Sequence, residues 1–231
     1  MSRGLTAFST AEDGDLRSDA AARVVFAAAL GISSKWAAVN QVHGGTVVQV
    51  HRSGDAGAAD ALFTTVPGLP VVVFTADCFA VALLCDHGVG IAHAGWRGLA
   101  AHVVRNLREA MADAGAEPTH AAIGPGIGPC CFEVGEEVLS VLGGHETVTT
   151  RGTRSVDLAG VVRDELDGLD WWENGECTHC GRGFFSHRRD QTTKRMAGVA
   201  WLPWDWPRSR REFDVQQRVQ DVIVATSRSS R

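Results

Sequence analysis

A chain of 231 residues, 45% hydrophobic and 21% charged, has ordinary globular composition and is long enough for one sizeable core. Its net charge of −5 argues against nucleic acid or another polyanion as partner. The longest apolar stretch, Val71 to Cys85, is broken by Asp77 and falls short of the roughly 20 residues a membrane span needs.

The first twenty residues lack a basic start followed by an apolar run, so the chain is expected to be soluble and cytoplasmic. Six cysteines are then reduced thiols, free for metal binding or catalysis rather than for a disulfide framework. Met1 to Leu16 read as a poorly defined start. Ser18 is placed to cap a helix running to about Leu30, with Gly31 as its stop. Thr46–Val50 reads as a short strand, and His51–Ala59 as a loop. Ala61–Thr64, Val71–Ala76, Ala80–Cys85 and Gly90–Ala94 carry the densest β signal. Their continuous apolar runs predict strands buried on both faces. Leu99, Val103, Leu107 and Met111 recur at helical spacing, which predicts one helix over Gly98–Ala114. Ala121–Ile123 is a further strand, entering the rigid loop Gly124-Pro125-Gly126-Ile127-Gly128-Pro129. Gly135–Leu142 and Leu158–Leu166 read as helices, and Phe184–Arg188 and Gly198–Leu202 as strands. With no repeat and no clear linker, residues 1–231 read as one mixed α/β domain, with 203–231 a loosely packed tail.

Three segments put a metal-capable side chain at a strand end or a glycine turn: Gln41-Val42-His43-Gly44, Thr75-Ala76-Asp77-Cys78, and His93-Ala94-Gly95-Trp96-Arg97-Gly98. One thiolate and two imidazoles suit zinc, with copper as competitor, and three protein ligands leave a position open for water or substrate. Spacing alone does not join them. Equally open are a surface-turn histidine at His43, a buried apolar thiol at Cys78 and a hydrogen-bonded core histidine at His93.

These segments closely resemble the signature of the YfiH-like, "multicopper polyphenol oxidase" or laccase-domain family. Gly124–Gly135 (GPGIGPCCFEVG) and Phe184–Leu202 (FFSHRRDQTTKRMAGVAWL) resemble it too, so the likeness covers roughly Ala21 to Leu202. It implies a layered sandwich of mixed β-sheets like that of toxin-type cysteine hydrolases. It also implies zinc bound by His43, Cys78 and His93, and purine nucleoside phosphorolysis with adenosine deamination and methylthioadenosine cleavage alongside. The family's older name implies copper-dependent phenol oxidation. The chain departs from the family near its start. Where an arginine-bearing segment is expected, Phe8–Gly14 has no arginine and two acids, Glu12 and Asp13, which predicts weaker binding of phosphate.

Asp77 reads as a general base, as support for a ligand histidine, or as a turn-forming residue. Gln41, two residues before His43, points the same way on an extended segment and is placed to bond a purine or ribose edge. Arg97, at a helix start between Gly95 and Gly98, suits phosphate or ribose. Cys131 and Phe132 are expected to line a cleft wall. Of Arg188 and Arg189 strand alternation lets only one face inward, and Arg188 is taken. Cys177-Thr178-His179-Cys180 is a lone CxxC, read as reduced thiols rather than a second zinc site.

The expected function is therefore a zinc-dependent purine nucleoside enzyme, catalytic at Asp77 and Cys78, acting on a small nucleoside with phosphate or water, as a monomer or small homo-oligomer. The alternatives are a metal-free hydrolase with Cys78 as nucleophile and His93 as base, and a non-catalytic metal-binding or peptidoglycan-editing factor.

Overall fold

The computed structural model describes residues 4–204. In chain order the strands are β1 (Leu5–Phe8), β2 (Ala37–Asn40), β3 (Val47–Gln49), β4 (Gly54–Ala58), β5 (Ala61–Thr64), β6 (Val71–Thr75), β7 (Phe79–Leu84), β8 (Val89–Ala94), β9 (His120–Ile123), β10 (Glu146–Val148), β11 (Arg154–Val156), β12 (Asp170–Glu173) and β13 (Met196–Trp201). The helices are α1 (Ala20–Ala29), α2 (Trp96–Ala100), α3 (Val103–Asp113), α4 (Glu136–Leu142), α5 (Leu158–Glu165) and α6 (His187–Asp190).

A six-stranded sheet runs β12-β9-β7-β8-β5-β3 and a five-stranded sheet runs β1-β13-β6-β2-β4. Both are mixed: β9 pairs parallel with β12 but antiparallel with β7, and β6 pairs parallel with β2 but antiparallel with β13. The Val-rich runs are explained by what covers each face. Val71 and Val73 of β6 meet Ala80, Ala82 and Leu84 of β7 between the sheets. Val72 and Phe74 turn the other way, onto Phe26 and Ala27 of α1 and onto Trp36. Val81 and Leu83 face Leu107 and Met111 of α3, together with Val138 of α4 and Val162 of α5. The result is four layers, helix, sheet, sheet, helix, with a period-2 strand alternating between two dry faces. Each fully buried Val or Leu contributes about 1.5–3 kcal/mol. The sheets approach closely at Gly198, where a Cβ would sit 2.5 Å from that of Ala80.

Several elements differ from expectation for tertiary reasons. The helix expected over Gly98–Ala114 is broken, because His102 adopts φ 56°. The buried Glu165 of α5 accepts the Arg105 amide at 3.1 Å and lies 2.9 Å from His102 Nδ1, so a side chain distant in sequence caps α3. The strand expected over Phe184–Arg188 gives way to α6, whose first turn is capped by Ser186 Oγ accepting the Arg189 amide at 3.1 Å. Asp19, not Ser18, caps α1 by accepting the amides of Ala21 and Ala22. β1 lies in the start read as undefined and β4 in the segment read as a loop. β2, β10, β11 and β12 were not expected as strands. β1, β2 and β4 join existing edges or neighbours, so partner backbone supplies what their short sequences do not. The expected tail beyond Trp204 lies outside the described residues. Among the described residues no helix is long and apolar enough to cross a membrane.

Candidate metal centre and active-site cleft

His43, Cys78 and His93 converge although they lie far apart in sequence. The turn after β2 carries His43, the turn between β6 and β7 carries Cys78, and β8 carries His93. Since β6 belongs to one sheet and β7 to the other, Cys78 sits where the chain crosses between them. One ligand-capable atom from each residue falls within 4.8 Å of the others, and the His43 and His93 rings stand edge to face at 4.8 Å. A tetrahedral zinc with bonds of about 2.0–2.3 Å sets its ligand atoms about 3.3–3.8 Å apart, within that limit.

The residue that builds the centre is one the sequence reading did not single out. Asp60 is fully buried at the start of β5. One carboxylate oxygen accepts the His43 amide at 2.9 Å and lies 2.8 Å from His93 Nδ1, and the other accepts the amides of Val42 at 3.2 Å and Gly44 at 2.6 Å. A carboxylate collecting three consecutive amides holds the turn in a conformation where His43 has φ 62°. The same carboxylate fixes the His93 ring, leaving Nε2 toward the centre, the carboxylate–histidine arrangement of metal sites. An isolated Asp in the apolar stretch Ala58–Thr64 was a legible signal, because a charge there must be paired.

The electrostatics follow. Burial pushes the Asp60 carboxyl up, but His93 and the amides outweigh it and hold it below the usual carboxylate range. Desolvation also raises Cys78, yet the charge of His93 and hydrogen bonds from His43 and His93 bring the thiol down to about 6. Burial lowers His93, while the Cys78 thiolate and Asp60 push it up to about 9. In the metal-free protein Cys78 and His93 therefore form a thiolate–imidazolium pair that titrates jointly. A cation would replace the shared proton, so the donor set fits a metal such as zinc.

Above the centre opens a cleft of about 310 Å³. His43, Cys78 and His93 border it, Phe74, Ala76, Ile127 and Phe132 give it an apolar side, and Arg17, His187, Arg188 and Arg195 give it a basic rim.

Comparison with known proteins identifies the family. The family model described as multi-copper polyphenol oxidoreductase laccase matches residues 8–203. The chain belongs to this family. It is 40% identical over 203 residues to a protein named purine nucleoside phosphorylase from Deinococcus radiodurans, covering 82% of this chain and 79% of that one. It is 37% identical over 189 residues to purine nucleoside phosphorylase YfiH of Escherichia coli, covering 76% and 77%. Solved structures of YfiH from Bacillus licheniformis and YlmD from Geobacillus stearothermophilus each align at a TM-score of 0.74 and 28% identity, covering 81% and 82% of this chain and 82% of each structure. The mixed α/β architecture is that of these relatives.

Within this family fold, the other expected site residues separate. Phe132 and Arg188 line the cleft, with the Arg188 guanidinium 5.4 Å over the Phe132 ring. Arg188 also donates to the Glu133 carbonyl at 2.9 Å. Gln41 borders the cleft, but its Nε2 donates to the Phe74 carbonyl at 2.8 Å and its Oε1 accepts the Phe74 amide at 2.9 Å. It extends the β2–β6 pairing, and only one N–H and one lone pair remain for a ligand. Asp77 lines the cleft with φ 93°. Its two oxygens accept the Thr178 hydroxyl and the Arg188 amide, both at 2.7 Å, so it joins three segments of the cleft wall. Support of His93 falls to Asp60 instead. Arg97 is displaced from the expected role: it is exposed on α2, stacks 4.1 Å from the Trp96 ring, and does not line the cleft. Cys131 also lies outside it, 3.2 Å from Cys180.

The two acids expected beside an anion near the start of the chain lie elsewhere. Asp13 turns back to accept the Thr10 amide at 2.7 Å and hydroxyl at 3.1 Å, and neither it nor Glu12 lines the cleft. Arg17 does. Asp15 accepts the backbone amides of Arg17 at 3.2 Å and Arg195 at 3.0 Å, which joins the two segments that bear these rim residues.

Gly95 tests the tightness of the centre. A Cβ there would meet Cys78 Sγ at 2.8 Å and His43 Cδ2 at 3.5 Å, while its φ of −86° suits any residue. Gly95→Ala is expected to leave the fold intact and weaken metal binding about tenfold or more, as a mispositioned ligand sphere does. Competition with a calibrated chelator checks this.

Proposed function

We propose that the chain is a metal-dependent purine nucleoside phosphorylase, with zinc held by His43, Cys78 and His93. The observation that carries this reading is the basic rim of Arg17, Arg188 and Arg195 around a cleft that opens onto the three ligands. Ligand pockets start at about 300 Å³, and a nucleoside is at the small end of that range. The family relationship supports the same substrate class, since the relatives carry the name purine nucleoside phosphorylase.

The bound metal would supply Lewis-acid stabilisation of negative charge on oxygen. The chain's own residues do the rest. Phe132 and Ile127 give an apolar surface for the flat purine, and Phe132 with Arg188 over it is a stacking platform. Arg17 and Arg195 hold phosphate with one oxygen aimed at the ribose anomeric carbon. In phosphorolysis that oxygen bonds to the carbon as the carbon–nitrogen bond breaks, and the electron pair leaves with the base. Asp77 acts by holding Arg188 and Thr178 in place, with its free lone pairs available for a proton. Adenosine deamination would use water in the same cleft.

The test is incubation of purified, zinc-loaded protein with adenosine, inosine, guanosine or methylthioadenosine, with and without phosphate. Phosphate-dependent release of base and ribose 1-phosphate is expected. No product from any of them refutes the reading. Arg17→Ala with Arg195→Ala is expected to raise the KM for phosphate about 10- to 100-fold, since each charge-assisted contact contributes about 1.5–3 kcal/mol before solvent screening. The KM for nucleoside should move little.

The thiolate–imidazolium–carboxylate line Cys78–His93–Asp60 favours one second reading, a cysteine hydrolase in the metal-free state. Activity that survives chelation and is lost on alkylation of Cys78 would select it.

A further inference from the structure

We propose that Cys130, Cys131, Cys177 and Cys180 form a second, structural zinc site that clamps the two loops of the cleft wall. The lone CxxC of the sequence is completed by two thiols roughly fifty residues away. All four Sγ atoms lie within 4.8 Å of one another. Cys180 Sγ is 3.2 Å from Cys131 Sγ and 3.5 Å from Cys130 Sγ. A disulfide requires about 2.05 Å, and none is formed. A tetrahedral four-thiolate zinc with bonds of about 2.3 Å sets sulfurs about 3.8 Å apart, in the middle of this range.

The backbone is arranged for thiolates. Cys177 Sγ accepts the Gly128 amide at 3.2 Å, and the amides of His179 and Cys180, the residues following it in the CxxC turn, also bond it. The carbonyls of that turn point away from the sulfurs. Arg189 collects them, donating to those of Thr178, His179 and Gly181 at 2.9–3.0 Å and of Phe184 at 2.7 Å. Amides inward and carbonyls outward is the polarity that stabilises negative sulfur. Three of the sulfurs are half-buried and Cys180 is exposed, so an ion has an entry path.

The position gives the site its purpose. Cys130 and Cys131 end the loop that contributes Ile127 and Phe132 to the cleft. Cys177 and Cys180 precede the segment that contributes His187 and Arg188. Thr178, inside the CxxC, is buried and donates to Asp77 beside Cys78. A metal here would join the walls and fix Asp77 without touching substrate.

The test uses Cys78→Ala protein, whose first centre has lost its thiolate. After zinc loading and desalting it is expected to retain about one zinc per chain, and cobalt exchanged into it to show the intense sulfur-to-metal charge transfer of a four-thiolate site. Adding Cys180→Ser, at the exposed member, should abolish that spectrum and the retained zinc, with circular dichroism reporting the fold. Wild-type protein, which requires no substitution, should bind about two zinc ions per chain. Retention of no zinc by folded Cys78→Ala, a cobalt spectrum without thiolate character, or an intact mass showing these cysteines paired as disulfides in freshly isolated protein would each overturn the proposal.

Discussion

Replacing Cys78 by alanine is expected to remove the metal from the cleft and to lower kcat/KM for the nucleoside by about 10³-fold or more. The thiolate is the one anionic group among the proposed ligands His43, Cys78 and His93, and the charge of His93 favours its ionised form. Without it two imidazoles remain, too few to hold zinc against water. Loss of a Lewis acid removes several kcal/mol of transition-state stabilisation, and about 4 kcal/mol is a factor of about 10³. Stability in the metal-free state should fall as well, since the thiolate–imidazolium pair with His93 is lost. Elemental analysis and nucleoside turnover on the same samples decide it. A variant that keeps the full metal complement, or turns over substrate like the parent, would remove Cys78 from the centre.

Asp60→Asn is the second large effect, and it acts through structure before chemistry. The carboxylate receives four donors from Val42, His43, Gly44 and His93 with no solvent contact. An asparagine amide has one acceptor oxygen, so its NH₂ group must face two of those donors. Buried unsatisfied or opposed polar groups cost about 1–3 kcal/mol each, more when a charge is lost. A total of about 3 kcal/mol would lower Tm by about 6–12 °C in a chain of this size. The His43 turn and the His93 ring lose their orientation together, so metal affinity should fall about 10- to 100-fold. The pH dependence has a defined sign. Asp60 is held below its ordinary value of 3.8, so its contribution is complete above 3.8 and is lost as pH falls through the lower folded value. The difference between wild type and Asp60→Asn should therefore shrink in acid below that point, and in the metal-free protein, where Asp60 helps raise His93 from 6.5 to about 9, it should also shrink as pH rises from 6.5 through about 9. Thermal denaturation across that range measures it. An equal gap at all pH values would mean that the carboxylate's charge is not what holds the turn.

The tests separate the metal centre from the reaction. Gly95→Ala and Asp60→Asn report on metal affinity, the Arg17 and Arg195 substitutions on phosphate, and Cys78→Ala on both. A protein that binds zinc as expected but releases no base would keep the centre and discard the phosphorylase reading.

Read by itself, the amino-acid sequence determined the buried strands β5 to β8, because apolar runs with turn residues between them admit little else. It also marked His43, Cys78 and His93, through the motifs around them rather than through their spacing. Phe132 and Arg188, expected along a cleft, both border one, although Arg188 arrives there on a short helix and not by strand alternation. Tertiary structure alone decided the rest. Asp60 acquires its role only when β5 and β8 pair and the β2 turn folds over it. Arg17 borders the cleft beside a segment distant in sequence, because Asp15 accepts its amide together with that of Arg195. The break between α2 and α3 is set by Glu165 of another helix. Cys131 left the cleft for a cluster of thiols because the Gly124–Pro129 loop stacks on the CxxC turn. The physical reason is common to all four. Local patterns record which face of an element is dry, whereas charges and thiols take their function from partners that the chain brings near only when the layers close.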